Sequence, residues 1–364
     1  MKKVLILVNH DVVIYNFRKE LVQQLLRDNY KVYVSSPYGK KIDYLIEMGC
    51  EYIETTIERH GTNIISDFKL ISEYRKIIKR VMPDVVLSYT IKPNIYGGIA
   101  CKSLRTPYIA TITGLGTALE KKGLMQNVLL LLYKYAFKDI HSLFFQNKEN
   151  MHFFQQHKIT NHSHKLVPGS GVNLEEFSLK KYPEEREKLK ILFIGRIMKE
   201  KGIEELAEAA KIIKESNKNI EFEAVGFYEE DYTDKANELV NLDIIKFHGV
   251  QNNVKEFIED CNAVILPSYH EGMANVLLES ASMGRPIIAS SIPGCEETFD
   301  DGVTGFGLEP KNVDSLVEAI NKFIDLTYNE QETMGILARN KVENEFDRKK
   351  VVSSYLNEIE NIAN

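Results

Sequence analysis

The feature that most constrains this chain is a rhythm. Short runs of β-branched and apolar residues alternate with longer helical patterns from end to end, and the rhythm breaks once. In the first half, strands are expected near Val4–Val8, Val32–Ser35, Asp84–Leu87, Tyr108–Ile112 and Leu143–Phe145, with helical patterns such as Arg18–Arg27 and Phe68–Val81 between them. The turn Pro168-Gly169-Ser170-Gly171 interrupts the pattern, and a charged segment, LKKYPEEREKLK, follows. Strands are then expected near Ile191–Ile194, Phe222–Val225, Ile245–Phe247, Ala263–Leu266 and Pro286–Ala289. Such alternation specifies parallel sheets with crossover helices. Occurring twice, it specifies two Rossmann-like α/β domains joined near residue 170. A chain of 364 residues also exceeds the usual single core.

Composition narrows the class. No run reaches the roughly 18 apolar residues of a membrane span. The start, MKKVLILVNHD, imitates a secretion signal, but its apolar run of Val4–Val8 is short and polar residues follow, so a buried first strand is expected. Cys50, Cys101, Cys261 and Cys295 form no metal spacing and fit small core residues in a reducing cytosol. His152, His157, His162 and His164 fit no standard metal site and read as a polar connector. The net charge of −6 hides an asymmetry: residues 1–170 carry 24 Lys and Arg against 14 Asp and Glu, and the remainder carries 22 against 38. A basic first half suits a membrane surface or an anionic substrate, while uneven solubility charge is the plainer reading. No nucleic-acid partner is expected.

In folds of this kind ligands sit at the carboxyl ends of strands, near helix N-termini. The stretch YHEGMANVLLESASMGRP, Tyr269–Pro286, follows the strand at Ala263–Leu266. Its helix is expected over Asn275–Met283, with Gly284 and Pro286 ending it. Glu271 then lies in the loop at the helix mouth and Glu279 a turn or more inside. Backbone amides around Asn275–Leu277 are expected to be unpaired and able to receive an anion. Taken alone, the two glutamates read better as a first-turn charge and a solvated helix face than as a ligand site. A second constellation, LFIGRIMKEKGIEEL, places Gly195-Arg196 and Lys201-Gly202 after another strand, where Arg and Lys converge on a phosphate pair. It is not a P-loop, because no Ser or Thr follows Lys201. Gly226 and Gly249 end two further strands, and IPGCEE at Ile292–Glu297 adds a tight loop.

These pieces together resemble the nucleotide-sugar domain of the family 4 (GT4) retaining glycosyltransferases: GRIMKEKG, VGF, FHGV, LPSYHEGMANVLLESASMGRPIIAS and PGCEE. The first half resembles the branch that builds bacterial surface polysaccharides and lipid-linked oligosaccharides, through YNFR, RHGTN, YTIKPNIYGGIA, TITGLG and FFQNKEN. The resemblance implies the GT-B fold, two Rossmann-like domains with parallel sheets facing across a cleft. It implies an acceptor domain over 1–170, a nucleotide-sugar domain over 171–345, and a C-terminal helix over 346–364 packing back on the first domain.

It also implies a reaction. A hexose or N-acetylhexosamine moves from a nucleotide sugar, expected to be a UDP-sugar, to a polyprenyl-diphosphate-linked saccharide. Arg196, Lys201 and the helix N-terminus stabilise the departing diphosphate. No cofactor or metal is then required, and no Asp-x-Asp occurs in the chain. By the same analogy Glu271 meets the donor sugar, as nucleophile or as positioning group, and Glu279 grips the ribose. Gly195, Gly249, Gly272, Met273, Asn275, Val276 and Leu277 complete the nucleotide site. On the acceptor side the candidates are His10, Arg18, Arg59, Asn63, Lys92, Thr113 and Gly114.

Two features depart from the family. The first loop, NHDVVIYNFR, lacks the usual glycine pair, and Thr113 stands where a histidine is common. Lys121 and Lys122 precede an unusually apolar helix, Leu124–Phe137, which reads as an interfacial anchor or as a core helix. The expected location is the cytoplasm, peripheral on the inner membrane face. The competing classes are a sugar-nucleotide epimerase and a non-catalytic nucleotide-sugar-binding subunit. A dinucleotide dehydrogenase is disfavoured because VNHDVV lacks GxGxxG.

Overall fold

The computed structural model describes residues 1–57, 64–116, 119, 123–160, 163–185, 188–216, 219–229 and 232–363. The chain divides into one unit of Met1–Ser170 with Arg348–Asn364, and a second of Gly171–Asp347.

The first unit carries strands β1 (Lys3–Leu7), β2 (Lys31–Ser36), β3 (Glu51–Glu54), β4 (Val85–Tyr89), β5 (Tyr108–Ile112), β6 (Ser142–Phe145) and β7 (His164–Leu166). Its helices are α1 (Asp11–Arg27), α2 (Lys41–Glu47), α3 (Ile64–Val81), α4 (Gly98–Leu104, entered through a π-helical turn at Pro93–Gly97), α5 (Leu124–Ala136) and α6 (Lys148–Gln156). The sheet order is β3-β2-β1-β4-β5-β6-β7, all parallel. Central β1, β4 and β5 are covered on both faces, which is why they read as unbroken apolar runs. α1 begins at Asp11, earlier than its pattern suggested, because His10 caps it: Val12 N donates to His10 Nδ1 at 3.1 Å.

The second unit repeats the plan with β8 (Leu189–Ile194), β9 (Ile220–Val225), β10 (Ile245–Phe247), β11 (Ala263–Leu266), β12 (Ile287–Ser290) and β13 (Gly305–Leu308). Its helices are α7 (Ile203–Ser216), α8 (Thr233–Asn241), α9 (Val254–Asp260), α10 (Asn275–Ser282), α11 (Val313–Ile324) and α12 (Tyr328–Glu345). The parallel order β10-β9-β8-β11-β12-β13 reverses between β8 and β11. That reversal opens a crevice at the carboxyl ends of those two strands. The loops holding Gly195–Lys201 and Pro267–Ala274 lie on its two sides.

The closing helix α13 (Arg348–Ala363) belongs to the first unit. Arg348 bonds Glu20 Oε2 at 3.0 Å and Asn16 O at 3.1 Å. Tyr355 stacks on Phe144 with ring centroids 4.4 Å apart and shares a hydrogen bond with Thr111 at 2.5 Å. Glu358 accepts from Ser142, and from Lys165 at 3.0 Å.

Candidate active site

Lys201 and Glu271 are brought together from the loops after β8 and β11. Their side chains form an ion pair and are 16% and 13% exposed. Ser268 Oγ donates to the same carboxylate oxygen of Glu271 at 2.8 Å. Sequence reasoning named both charged residues but missed the pairing and Ser268. Beside them Cys295 is fully buried, and burial, then the charge of Glu271, pushes its thiol well above the ordinary value. It stays a neutral thiol.

Backbone geometry holds the two loops close. Gly202 sits at φ +70°, and a Cβ there would lie 2.1 Å from the carbonyl oxygen of Pro267. At Gly226 a Cβ would lie 1.7 Å from the carbonyl oxygen of Gly195. Gly226 N in turn donates to Gly249 O at 2.9 Å. The ends of β8, β9 and β10 therefore present backbone side by side, with no side chain at these positions. Across the crevice Ala274 N donates to Gly294 O at 2.7 Å, and Gly294 N to Glu297 at 2.6 Å. That gives the tight loop IPGCEE its function: it braces the Glu271–Ala274 loop.

The mouth of α10 differs from expectation. Asn275 N bonds Met273 O at 2.9 Å and Leu277 N bonds Ala274 O at 3.0 Å, so these two amides are occupied. The Val276 amide is the open donor of the three. The buried Asn275 Oδ1 beside it has no partner. The Met273 and Leu277 side chains are buried in the hydrophobic core. Glu279 is partly buried one turn further on. Arg196 does not meet Lys201 through a shared carboxylate. It is 45% exposed and pairs with Glu229 at 3.3 Å.

Residues 175–341 match the family described as glycosyl transferases group 1, and residues 3–147 match glycosyl transferase 4-like. The chain is a glycosyltransferase of the GT4 type. It is 26% identical over 328 residues, 86% of each chain, to an N,N'-diacetylbacillosaminyl-diphospho-undecaprenol α-1,3-N-acetylgalactosaminyltransferase of Campylobacter jejuni. It is also 26% identical, over 85% of this chain and 83% of the other, to a UDP-Gal:α-D-GlcNAc-diphosphoundecaprenol α-1,3-galactosyltransferase of Escherichia coli. Among solved structures, Anabaena Alr3699/HepE in complex with UDP and glucose superposes with a TM-score of 0.80 at 16% identity, covering 99% of this chain and 100% of that one. The fold is GT-B.

In the first unit of this glycosyltransferase three of the candidate residues, His10, Arg18 and Lys92, are already engaged. His10 caps α1 and lies 2.6 Å from Asp11. Lys92 pairs with Asp67 at 3.3 Å. Arg18, read from the sequence as a phosphate contact or a surface residue, is 3% exposed. Its guanidinium carbon lies 5.0 Å from the ring of Tyr89 and 5.5 Å from that of Tyr355. Arg18 Nε, Tyr89 OH and Thr90 Oγ1 are buried without partners at the end of β4. Thr113 and Gly114 follow β5, partly buried. Arg59 and Asn63 lie outside the described residues. Two of the connector histidines bond to local backbone, His157 to Phe153 O at 2.8 Å and His164 to Ile159 O at 3.0 Å. His162 lies outside the described residues. Among the described residues no group of three His, Cys, Asp or Glu is placed to hold a metal, and no helix is long and apolar enough to cross a membrane.

Proposed function

We propose that this glycosyltransferase moves a hexose or N-acetylhexosamine from a UDP-sugar to a polyprenyl-diphosphate-linked saccharide, with retention at the anomeric carbon. The setting is capsule, exopolysaccharide or O-antigen synthesis, on the cytoplasmic face of the membrane. The names of the Campylobacter and Escherichia relatives support the acceptor class, and the second also supports the UDP donor. The observation that carries the reading is the Lys201–Glu271 pair at the crevice, with the open Val276 amide at the mouth of the helix that follows Glu271.

In the reaction the bond from the anomeric carbon to the diphosphate oxygen breaks. An acceptor hydroxyl oxygen bonds to that carbon on the same face, and its proton passes to the departing phosphate. Lys201 and the Val276 amide meet the negative charge that develops on the diphosphate, so no metal is needed. Arg196 joins them by leaving Glu229, an exposed pair that costs little to break. Glu271 exchanges Lys201 for hydroxyls of the donor sugar. Glu279 accepts from the ribose hydroxyls.

Labelled UDP-sugars incubated with the native lipid-diphosphate pool test the reading. The expected product is an extractable lipid saccharide whose new linkage, by NMR, keeps the anomeric configuration of the donor. An inverted linkage removes retention. Epimerised nucleotide, or binding without transfer, overturns the reading as a whole.

A further inference from the structure

We infer that Tyr269 and Glu205 form a strut that fixes how far the Glu271 loop stands from Lys201, which makes both of them positioning residues for sugar transfer. The inference rests on the roles proposed above for Lys201 and Glu271, and it identifies what holds that pair in place.

Lys201 and Glu271 sit on two separate loops. A lysine stem is flexible, so the ion pair follows wherever its loops go. The loops themselves need a tie, and Tyr269 supplies it twice. Its backbone amide donates to Glu200 O at 2.9 Å, next to Lys201. Its hydroxyl donates to Glu205 Oε1 at 2.6 Å, in the first turn of α7 and four residues beyond Lys201. One residue, His270, separates Tyr269 from Glu271, so a shift at the ring reaches the carboxylate. On the other side of Tyr269, Ser268 carries the hydroxyl that bonds Glu271. A third segment holds the ring: Lys311, between β13 and α11 and at φ +60°, sets its Nζ 4.7 Å from the ring centre.

The bond from Tyr269 to Glu205 is more than a surface contact. Tyr269 is 9% exposed, and Glu205 Oε2 is buried without a partner. The neighbouring Glu204 shows the ordinary alternative for a first-turn glutamate: it is half exposed and pairs with Lys199 at 3.4 Å. A buried carboxylate oxygen left unpaired is costly, and a first-turn charge favours a helix without being buried. Stability therefore does not explain Glu205, whereas holding the loop does. Burial, then the bond to Glu205, pushes the Tyr269 hydroxyl well above its ordinary value, so it stays protonated and donates. The strut thus keeps its length while Lys201 and Glu271 exchange partners for the donor. Its length matters because a shift of about 1 Å at a reacting group can cost on the order of 100-fold in rate.

Three variants test the strut. Tyr269→Phe removes the bond, Glu205→Gln keeps an acceptor oxygen for the hydroxyl, and Tyr269→Phe/Glu205→Met removes both polar partners. Each is read by kcat with labelled UDP-galactose and UDP-N-acetylgalactosamine on the native lipid-diphosphate pool, by calorimetry of UDP, and by urea unfolding. Tyr269→Phe is expected to lower kcat about 10- to 100-fold with UDP affinity unchanged. Glu205→Gln should keep most of kcat. The double variant should regain the stability lost in Tyr269→Phe, because no buried group is left unpaired, yet stay as slow. Wild-type kcat in Tyr269→Phe, or UDP affinity that falls in step with kcat, overturns the inference. So does a double variant whose kcat returns with its stability, which makes the bond structural alone. A Glu205→Gln as slow as Tyr269→Phe also overturns it, by assigning the effect to the charge. Hydrogen exchange needs no turnover: Tyr269→Phe should speed exchange across residues 267–274, and Glu205→Gln should not. If the wild type transfers no sugar, the proposed reaction fails. Faster exchange in that segment then leaves the strut standing, and unchanged exchange removes it.

Discussion

The two units share a fold yet treat the carboxyl ends of their strands differently. In the second unit those ends are built from backbone: Gly195, Gly226 and Gly249 lie side by side, and the Lys201–Glu271 ion pair stands at the crevice. In the first unit side chains fill the equivalent region. His10 caps α1, Asp11 accepts from Lys41 N at 2.8 Å, and Arg18 is buried between two tyrosine rings. A backbone-lined site suits a ligand part that never changes, such as a nucleoside diphosphate. A side-chain-lined site is re-cut by each substitution and suits an acceptor that differs from one pathway to the next.

The contrast breaks most visibly at glycines. Gly226→Ala drives a Cβ into the Gly195 carbonyl, which is backbone and has nowhere to go. We expect a loss of about 3 kcal/mol or more and loss of UDP binding, read by thermal unfolding and calorimetry. Gly39→Ala in the first unit meets only the Asp11 side chain, at 2.3 Å. A turning side chain makes the cost smaller, and equal shifts in Tm for the two variants would erase the distinction.

Glu279→Gln comes next. If Glu279 binds ribose alike in ground and transition states, its loss raises the donor KM with little change in kcat. A charge-assisted hydrogen bond of about 1.5–3 kcal/mol corresponds to roughly 10- to 100-fold. A fall in kcat at unchanged KM would move Glu279 from recognition to chemistry.

A smaller effect is expected at Glu358, which ties α13 to the first unit. Burial raises its carboxyl, but bonds from Ser142 and Lys165 outweigh it, so the folded value lies below the ordinary one. Its contribution is therefore complete above the unfolded value near about 4.3 and is lost as pH falls through the lower folded value. Glu358→Gln should reduce stability by about 1 kcal/mol at neutral pH and by less in acid. Urea unfolding at several pH values checks the sign, and a gap that widens in acid would refute it. The smallest effect is none: excess chelator should leave turnover at saturating acceptor unchanged, and loss restored by magnesium or manganese would reject the metal-free reading.

Much of this was legible in the chain. Strands buried on both faces, such as Tyr108–Ile112 and Ala263–Leu266, are continuous apolar runs with nothing to mimic them. The strands not expected carry weak signals: β3 is EYIE, with charges at both ends, β7 is HKL, and β13 is GFGL, rich in glycine. The candidate site was legible as a set of residues but not as a geometry. Lys201 and Glu271 lie 70 residues apart, and no local pattern foretells that they pair. The occupied amides of Asn275 and Leu277 depend on how Met273 and Ala274 fold back. Arg18 looks like any helix-surface arginine until Tyr355, more than 300 positions later, closes over it.

The central claim is that Lys201 holds the diphosphate and that Glu271 occupies Lys201 only until the donor arrives. Calorimetry of UDP binding to the wild type, Lys201→Ala and Glu271→Gln tests it most directly, beside steady-state kinetics. Lys201→Ala should weaken UDP roughly 10- to 100-fold, the worth of a charge-assisted contact. Glu271→Gln should bind UDP at least as tightly as the wild type, because its lysine is released, while kcat falls. If Glu271→Gln instead weakens UDP by the same factor as Lys201→Ala, the pair acts as one structural unit and the division of roles is wrong.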